Sequence, residues 1–143
     1  MRTGIQLILS GIMLLGLISC SKDNDDDKVK TKAELLSAHT WIYNEYFTNY
    51  NQTNTALVYK KGKSNNLINL AGDEITFKAD GTFSRIDLMG QPKSGTWQLV
   101  SNDTQLSTVE GGVTHTSNII VLDGNNFTFH DVPENVYAEM IPK

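Results

Sequence analysis

The sequence predicts an all-β fold, an antiparallel up-and-down barrel of about eight strands preceded by one short helix. Two observations carry this expectation. From Trp41 onward apolar side chains return at every second position: Trp41, Tyr43 and Phe47, then Ile75, Phe77 and Ala79, then Trp97 and Leu99, then Phe127 and Phe129. That alternation marks strands with one buried face. Turn-forming groups punctuate it every 10 to 12 residues or so, as Asp80-Gly81, Gly90-Gln91-Pro92, Ser101-Asn102-Asp103, Gly111-Gly112 and Asp123-Gly124-Asn125-Asn126. Such spacing belongs to consecutive hairpins. Closing eight strands into a ring removes the exposed edges that a secreted sheet must otherwise protect.

Length and composition fit one such domain. The chain has 143 residues, 39% of them hydrophobic and 8% aromatic, enough apolar surface to build a core. Twelve Lys and Arg against sixteen Asp and Glu give a net charge of -4, with no basic excess to neutralise phosphates. Nucleic acid is therefore not an expected partner. A single Cys excludes a disulfide framework and a Cys-cluster metal site.

The first element is an address. Arg2 precedes an uncharged apolar run from Ile5 to Ile18, followed by the small residues Ser19, Cys20 and Ser21. This is the pattern of a signal peptide over residues 1–19, and it is too short to span the roughly 30 Å of a bilayer core as a stable helix. Leu17-Ile18-Ser19-Cys20 resembles the lipobox of bacterial lipoproteins, although Ile18 stands where a smaller residue is more usual. The resemblance implies that Cys20 is acylated and becomes the first residue of the mature protein. Two or three acyl chains, at about 0.8 kcal/mol per buried CH₂, would hold it to a membrane essentially permanently.

Residues 20–30 then read as a lipidated Cys and a solvated tether, because Lys22-Asp23-Asn24-Asp25-Asp26-Asp27 offers nothing apolar to pack. An acidic run directly after the lipidated Cys resembles the signal that sends lipoproteins of Bacteroidota to the cell surface. The expected location is thus the outer membrane, lipid-anchored and surface-exposed.

The folded domain is expected over residues 31–143. Thr31 followed by Glu34 has capping-box spacing and starts a short helix that buries Leu35 and Leu36. Candidate strands lie near 41–48, 56–60, 66–70, 74–79, 82–88, 95–100, 105–109, 114–122, 126–130 and 136–141. Setting aside the second and third leaves about eight.

Several segments together resemble a known family. They are Leu35 to Trp41, Ile75 to Phe83 with its Asp80-Gly81-Thr82-Phe83 turn, Gly95-Thr96-Trp97-Gln98-Leu99, and the hairpin from Ile119 to Phe129. Their order and spacing are similar to the lipocalin-like (calycin) domains of Bacteroidota lipoproteins, with Ala38 where a Gly often precedes the first-strand Trp. The resemblance covers about residues 33 to 143 and implies the barrel; of function it implies little.

Catalytic and metal-binding patterns are missing from the sequence. His39, His115 and His130 stand apart from one another at no ligand spacing, no Ser sits in a nucleophile elbow, and no Gly-rich phosphate loop follows a strand. The chain reads as a non-enzyme without a cofactor. Lys60, Lys61 and Lys63 could contact an anion or glycan, or simply form a solvated hairpin tip. The aromatic residues are more informative, since Trp41, Tyr43, Tyr46, Phe47 and Tyr50 crowd the first strand. Rings in one phase of neighbouring strands converge inside a barrel, so Trp41, Tyr43, Phe77 and Trp97 are the expected ligand-binding residues, with Tyr46 and Tyr50 on the outer face. Glu45 and Arg85 share the inward phase and would pair there or orient a polar head, unless a bulge returns either one to solvent.

Two functions stay open at this point. The barrel could hold a small hydrophobic or amphipathic molecule, or it could have a filled core and act through its loops on a protein or glycan. A cavity separates the two, since eight strands lie at the boundary between a packed interior and room for one ligand.

Overall fold

The computed structural model describes residues 29–143. The signal peptide, Cys20 and the acidic run after it lie outside the described residues.

The chain begins with α1 (Lys32–Ser37), and its start is set by the predicted capping box. The Thr31 hydroxyl accepts the Glu34 backbone N–H at 3.2 Å, and the Glu34 carboxylate accepts the Thr31 backbone N–H at 2.7 Å. Both satisfy donors that a helix N-terminus leaves free. Leu36 is fully buried and Leu35 half-buried.

Nine strands follow: β1 (Thr40–Thr48), β2 (Ala56–Lys60), β3 (Glu74–Phe77), β4 (Thr82–Ile86), β5 (Pro92–Val100), β6 (Gln105–Glu110), β7 (Val113–Leu122), β8 (Phe127–Asp131) and β9 (Val136–Pro142). From β3 to β9 each strand pairs antiparallel with the next, β9 returns to β1 along Trp41 to Thr48, and β1 pairs with β3 along Thr40 to Ile42. Eight strands therefore close into the predicted barrel. β2 stands outside the ring and pairs only with the second half of β1, from Glu45 to Thr48. It occupies the edge that β3 has left, because β9 fills the other one.

Of the two candidate strands set aside in the sequence, 56–60 forms, as β2, and 66–70 does not. Asn66 accepts the Lys60 backbone N–H at 2.8 Å and donates to the carbonyls of Lys60 and Lys63, and this side-chain clasp holds a turn in place of a ladder. The backbone N–H groups of Leu67 and Ile68 both turn to the Val58 carbonyl. Leu70 is buried, so residues 61–73 form a loop laid against the barrel.

The connections sort into two ends. The turns at 78–81, 101–104 and 123–126 share the base with α1, where the Lys32 ammonium donates to the Asp103 carbonyl at 2.7 Å. The loops at 61–73, 87–91, 111–112 and 132–135 surround the opposite end. Two tryptophans seal the base. The Trp41 indole N–H donates to the Leu36 carbonyl at 2.9 Å, and the Trp97 indole N–H to the Lys78 carbonyl at 2.9 Å. Each buries a large ring without stranding its polar atom. Together with Leu36, Phe77, Phe83, Leu106, Phe127 and Met140 they form the core.

Candidate functional site

Above this base the barrel interior is not filled. A cavity of about 490 Å³ extends toward the end ringed by the long loops. Its wall follows from strand alternation; β3, β4, β6 and β8 share one polarity, while Leu88, Val113 and Val136 add apolar groups near the mouth. Read from base to mouth, β3 presents Phe77, Ile75 and then Asp73 just beyond the strand, β4 presents Phe83 and Arg85, β6 presents Leu106, Thr108 and Glu110, and β8 presents Phe127, Phe129 and Asp131. Each series is apolar at the closed end and charged at the open one. Loop residues Ile68 and Leu70 complete one side, and His115 and Glu134 stand at the mouth.

Arg85 is the predicted inward cation, and its partner Asp73 lies in the inward phase counted back from Phe77 and Ile75. Its guanidinium donates to the Asp73 carboxylate at 3.1 Å, and a second nitrogen lies 4.0 Å from Glu110. Asp73 is only 3% exposed. Burial pushes its carboxyl above the usual value, and Arg85 pulls it back only in part. Removing Arg85 would leave that carboxylate buried without a counter-charge.

Tyr43 and Tyr46 both line the cavity, their centroids 5.6 Å apart and edge to face. Burial raises the titration of both hydroxyls, with the nearby carboxylates adding to it, so each remains a neutral hydrogen-bonding group. The inward position of Tyr46 corrects the expectation that it faces out. The reason is a β-bulge: the register of β1 against β9 slips between Tyr43 and Glu45, so the inward phase passes from odd to even positions.

The same bulge turns Glu45 outward. Its carboxylate meets the Lys60 ammonium of β2 at 2.6 Å, and the neighbouring Asn44 reaches Glu139 at 2.6 Å. Glu45 is therefore not a wall residue and does not pair with Arg85. Lys60, from the basic cluster, is taken up in this outer ion pair. Tyr50 lies outside the barrel, stacked on Tyr137 with centroids 4.5 Å apart.

Of the expected interior residues, then, Tyr43, Phe77 and Arg85 line the cavity. Trp41 and Trp97 point inward but lie in the packed base beneath it, where Phe77 and Phe127 cover them. Counting alternate positions onward from Leu106 and Phe127 reaches Glu110 and Asp131, so the charged rim was accessible to phase counting. A sequence signal for the bulge also exists, because Asn44-Glu45 is a polar pair between two tyrosines where alternation calls for one polar residue.

Among the described residues no three His, Cys, Asp or Glu side chains group to hold a metal ion. His39 packs edge-on to Trp41, His115 lies 3.9 Å from Glu134, and His130 rests against Tyr50.

Two solved structures share this fold. A DUF4847 family protein from Bacteroides vulgatus ATCC 8482 superposes with a TM-score of 0.53 at 18% identity, over 78% of this chain and 96% of its own. A lipocalin-like protein from Bacteroides uniformis ATCC 8492 superposes with a TM-score of 0.52 at 12% identity, over 76% of this chain and 99% of its own. The fold is lipocalin-like. No protein-family model matches the chain, and no match is found among curated proteins. At these identities the likeness concerns the lipocalin-like barrel, and the wall chemistry described above belongs to this sequence.

Proposed function

We propose that this lipocalin-like barrel is a binding module for a small hydrophobic or amphipathic molecule, carried by a lipoprotein anchored through Cys20 in the outer membrane. One observation supports it above all. The interior holds about 490 Å³, within the roughly 300–1,000 Å³ range of small-molecule sites, and combines an apolar floor with a few polar groups at the mouth. A filled-core protein acting only through its loops has no need of such a space, and the role read here is binding rather than catalysis.

The direction of the barrel fits an N-terminal lipid anchor. The chain enters at the base, where Thr31 and α1 lie, and the mouth is at the opposite end. An anchor on Cys20 would therefore turn the closed end toward the membrane and the mouth away from it. The acidic residues after Cys20 agree, since an anionic surface repels such a tether.

Two experiments test the parts of this reading. Residues 29–143, which contain the complete barrel, are titrated with a neutral environment-sensitive dye such as N-phenyl-1-naphthylamine. Saturable one-site binding, weakened by Tyr43→Ala and by Phe77→Leu in variants whose fold is confirmed by circular dichroism, is expected. A wild type that binds no dye would overturn the ligand reading. Cys20→Ala in the full chain should leave the protein out of the detergent phase in a partition assay; a variant that still enters it would overturn the anchor.

A further inference from the structure

The charge at the mouth bears on what kind of molecule enters. Four carboxylates face the cavity, Asp73, Glu110, Asp131 and Glu134, against one guanidinium, Arg85. That single cation is already engaged, at 3.1 Å by Asp73 and within 4.0 Å of Glu110. An anionic head would have to compete with both for Arg85, and would enter a space where negative charge is in excess. Asp131 is different. It is 91% buried, being 9% exposed, and its carboxylate accepts only the Glu134 backbone N–H at 3.1 Å and a long contact of 3.4 Å from the Ser117 hydroxyl. No Lys or Arg pairs with it among the described residues. A carboxylate so enclosed and without a cation favours a ligand that supplies one.

Resting on the cavity reading above, we infer that the ligand is an amphipathic cation: an alkyl or aryl body seated on Phe77, Phe127 and Met140, with an ammonium-type head between Asp131, Glu134 and Glu110. The tyrosines fit the same occupant. Tyr43 and Tyr46 line the space with aromatic rings and neutral hydroxyls, and a cation placed over an aromatic ring is attracted by its quadrupole. Low-dielectric walls strengthen the attraction relative to water, because the field of the rim carboxylates is focused into the space they surround.

The test uses three single-chain molecules with alkyl tails of eleven or twelve carbons, each kept below its micelle concentration or solubility limit: dodecyltrimethylammonium, dodecanol and dodecanoate. Each competes with bound N-phenyl-1-naphthylamine on residues 29–143 at neutral pH. The expected result is displacement by the cation at concentrations roughly tenfold or more below those of the carboxylate, with the alcohol between them. Glu134→Lys, a change at an exposed rim position that the core does not need, should shrink the gap, as should high salt. Equal or better displacement by dodecanoate, with the dye still binding saturably, would overturn this inference and leave the cavity reading intact. Absence of dye binding would overturn both.

Discussion

Tyr43 and Tyr46 stand an odd number of positions apart on one strand, yet both rings enter the same cavity, with 5.6 Å between centroids and 78° between planes. In regular alternation one of them would face solvent. The slip of register between Tyr43 and Glu45 is what brings the second ring inside, and it sends Asn44 and Glu45 outward together. The bulge thus adds a second phenol to the wall at the place where polarity changes from floor to rim.

Tyr46→Ala should weaken dye binding roughly tenfold, the loss of one ring from an aromatic wall. Glu45→Ala, one position away, should leave binding unchanged, because it removes only the outer ion pair with Lys60. A fluorescence titration of both variants checks the pair; equal effects would mean that the two side chains share a face.

Among the described glycines, Gly95 is the most tightly enclosed. A Cβ there would lie 2.0 Å from the Val109 carbonyl oxygen and 2.7 Å from the Phe83 ring, which crosses directly over it. The backbone oxygen has no room to yield, so Gly95→Ala should cost about 3 kcal/mol, at the upper end of overpacking penalties. Urea denaturation of the barrel measures this.

Trp97 lies in the base, and its truncation to Ala should cost about 3–5 kcal/mol. Trp97→Phe keeps most of the ring but removes the indole donor to the Lys78 carbonyl, which keeps only the Gly81 N–H, at a cost of about 1 kcal/mol. Neither change alters the cavity wall directly, so Trp97→Phe should still bind dye at near wild-type affinity once folded.

Alkaline pH should destabilise the barrel through Tyr43. Burial, reinforced by the negative charge of Asp73, holds its hydroxyl well above the ordinary value of 10.0. The unfolded chain releases this proton near pH 10 while the folded one keeps it. Stability is therefore intact below that pH and falls as pH rises above it. In Tyr43→Phe the decline should be shallower, as read from denaturation midpoints across the alkaline range, and the latest-titrating component of phenolate absorbance should disappear.

The elements whose cause is local were legible in the sequence. Thr31 and Glu34 cap α1 with their own backbone, and Asp80-Gly81 turns β3 into β4 with Gly81 at a φ of 83°. What alternation misses is decided across strands. The bulge in β1 is a slip of register against β9, and the clasp of Asn66 on Lys60 replaces a strand at 66–70 that local composition permits. The site divides in the same way. Tyr43, Phe77 and Arg85 lie in phases set by their own strands, and Asp73 continues the phase of Phe77 and Ile75, whereas its pairing with Arg85 is set by the register of β3 against β4. Glu45 was assigned to the interior for the same reason that Tyr46 was assigned outside, one missing phase change.

The seam between β1 and β9 joins groups as far apart in the chain as Asn44 and Glu139, which hydrogen-bond across 95 positions. Such non-local closure places this barrel among slow folders, on the order of milliseconds to seconds. It also means that the ring cannot shut while the last strand is still inside the ribosome. Until then β1 and β8 are long open edges, and Trp41, Phe77 and Phe127 have no enclosed space to occupy. A chain cut short before Val136 would keep those edges permanently, and aggregation or proteolysis rather than a smaller barrel is its expected fate.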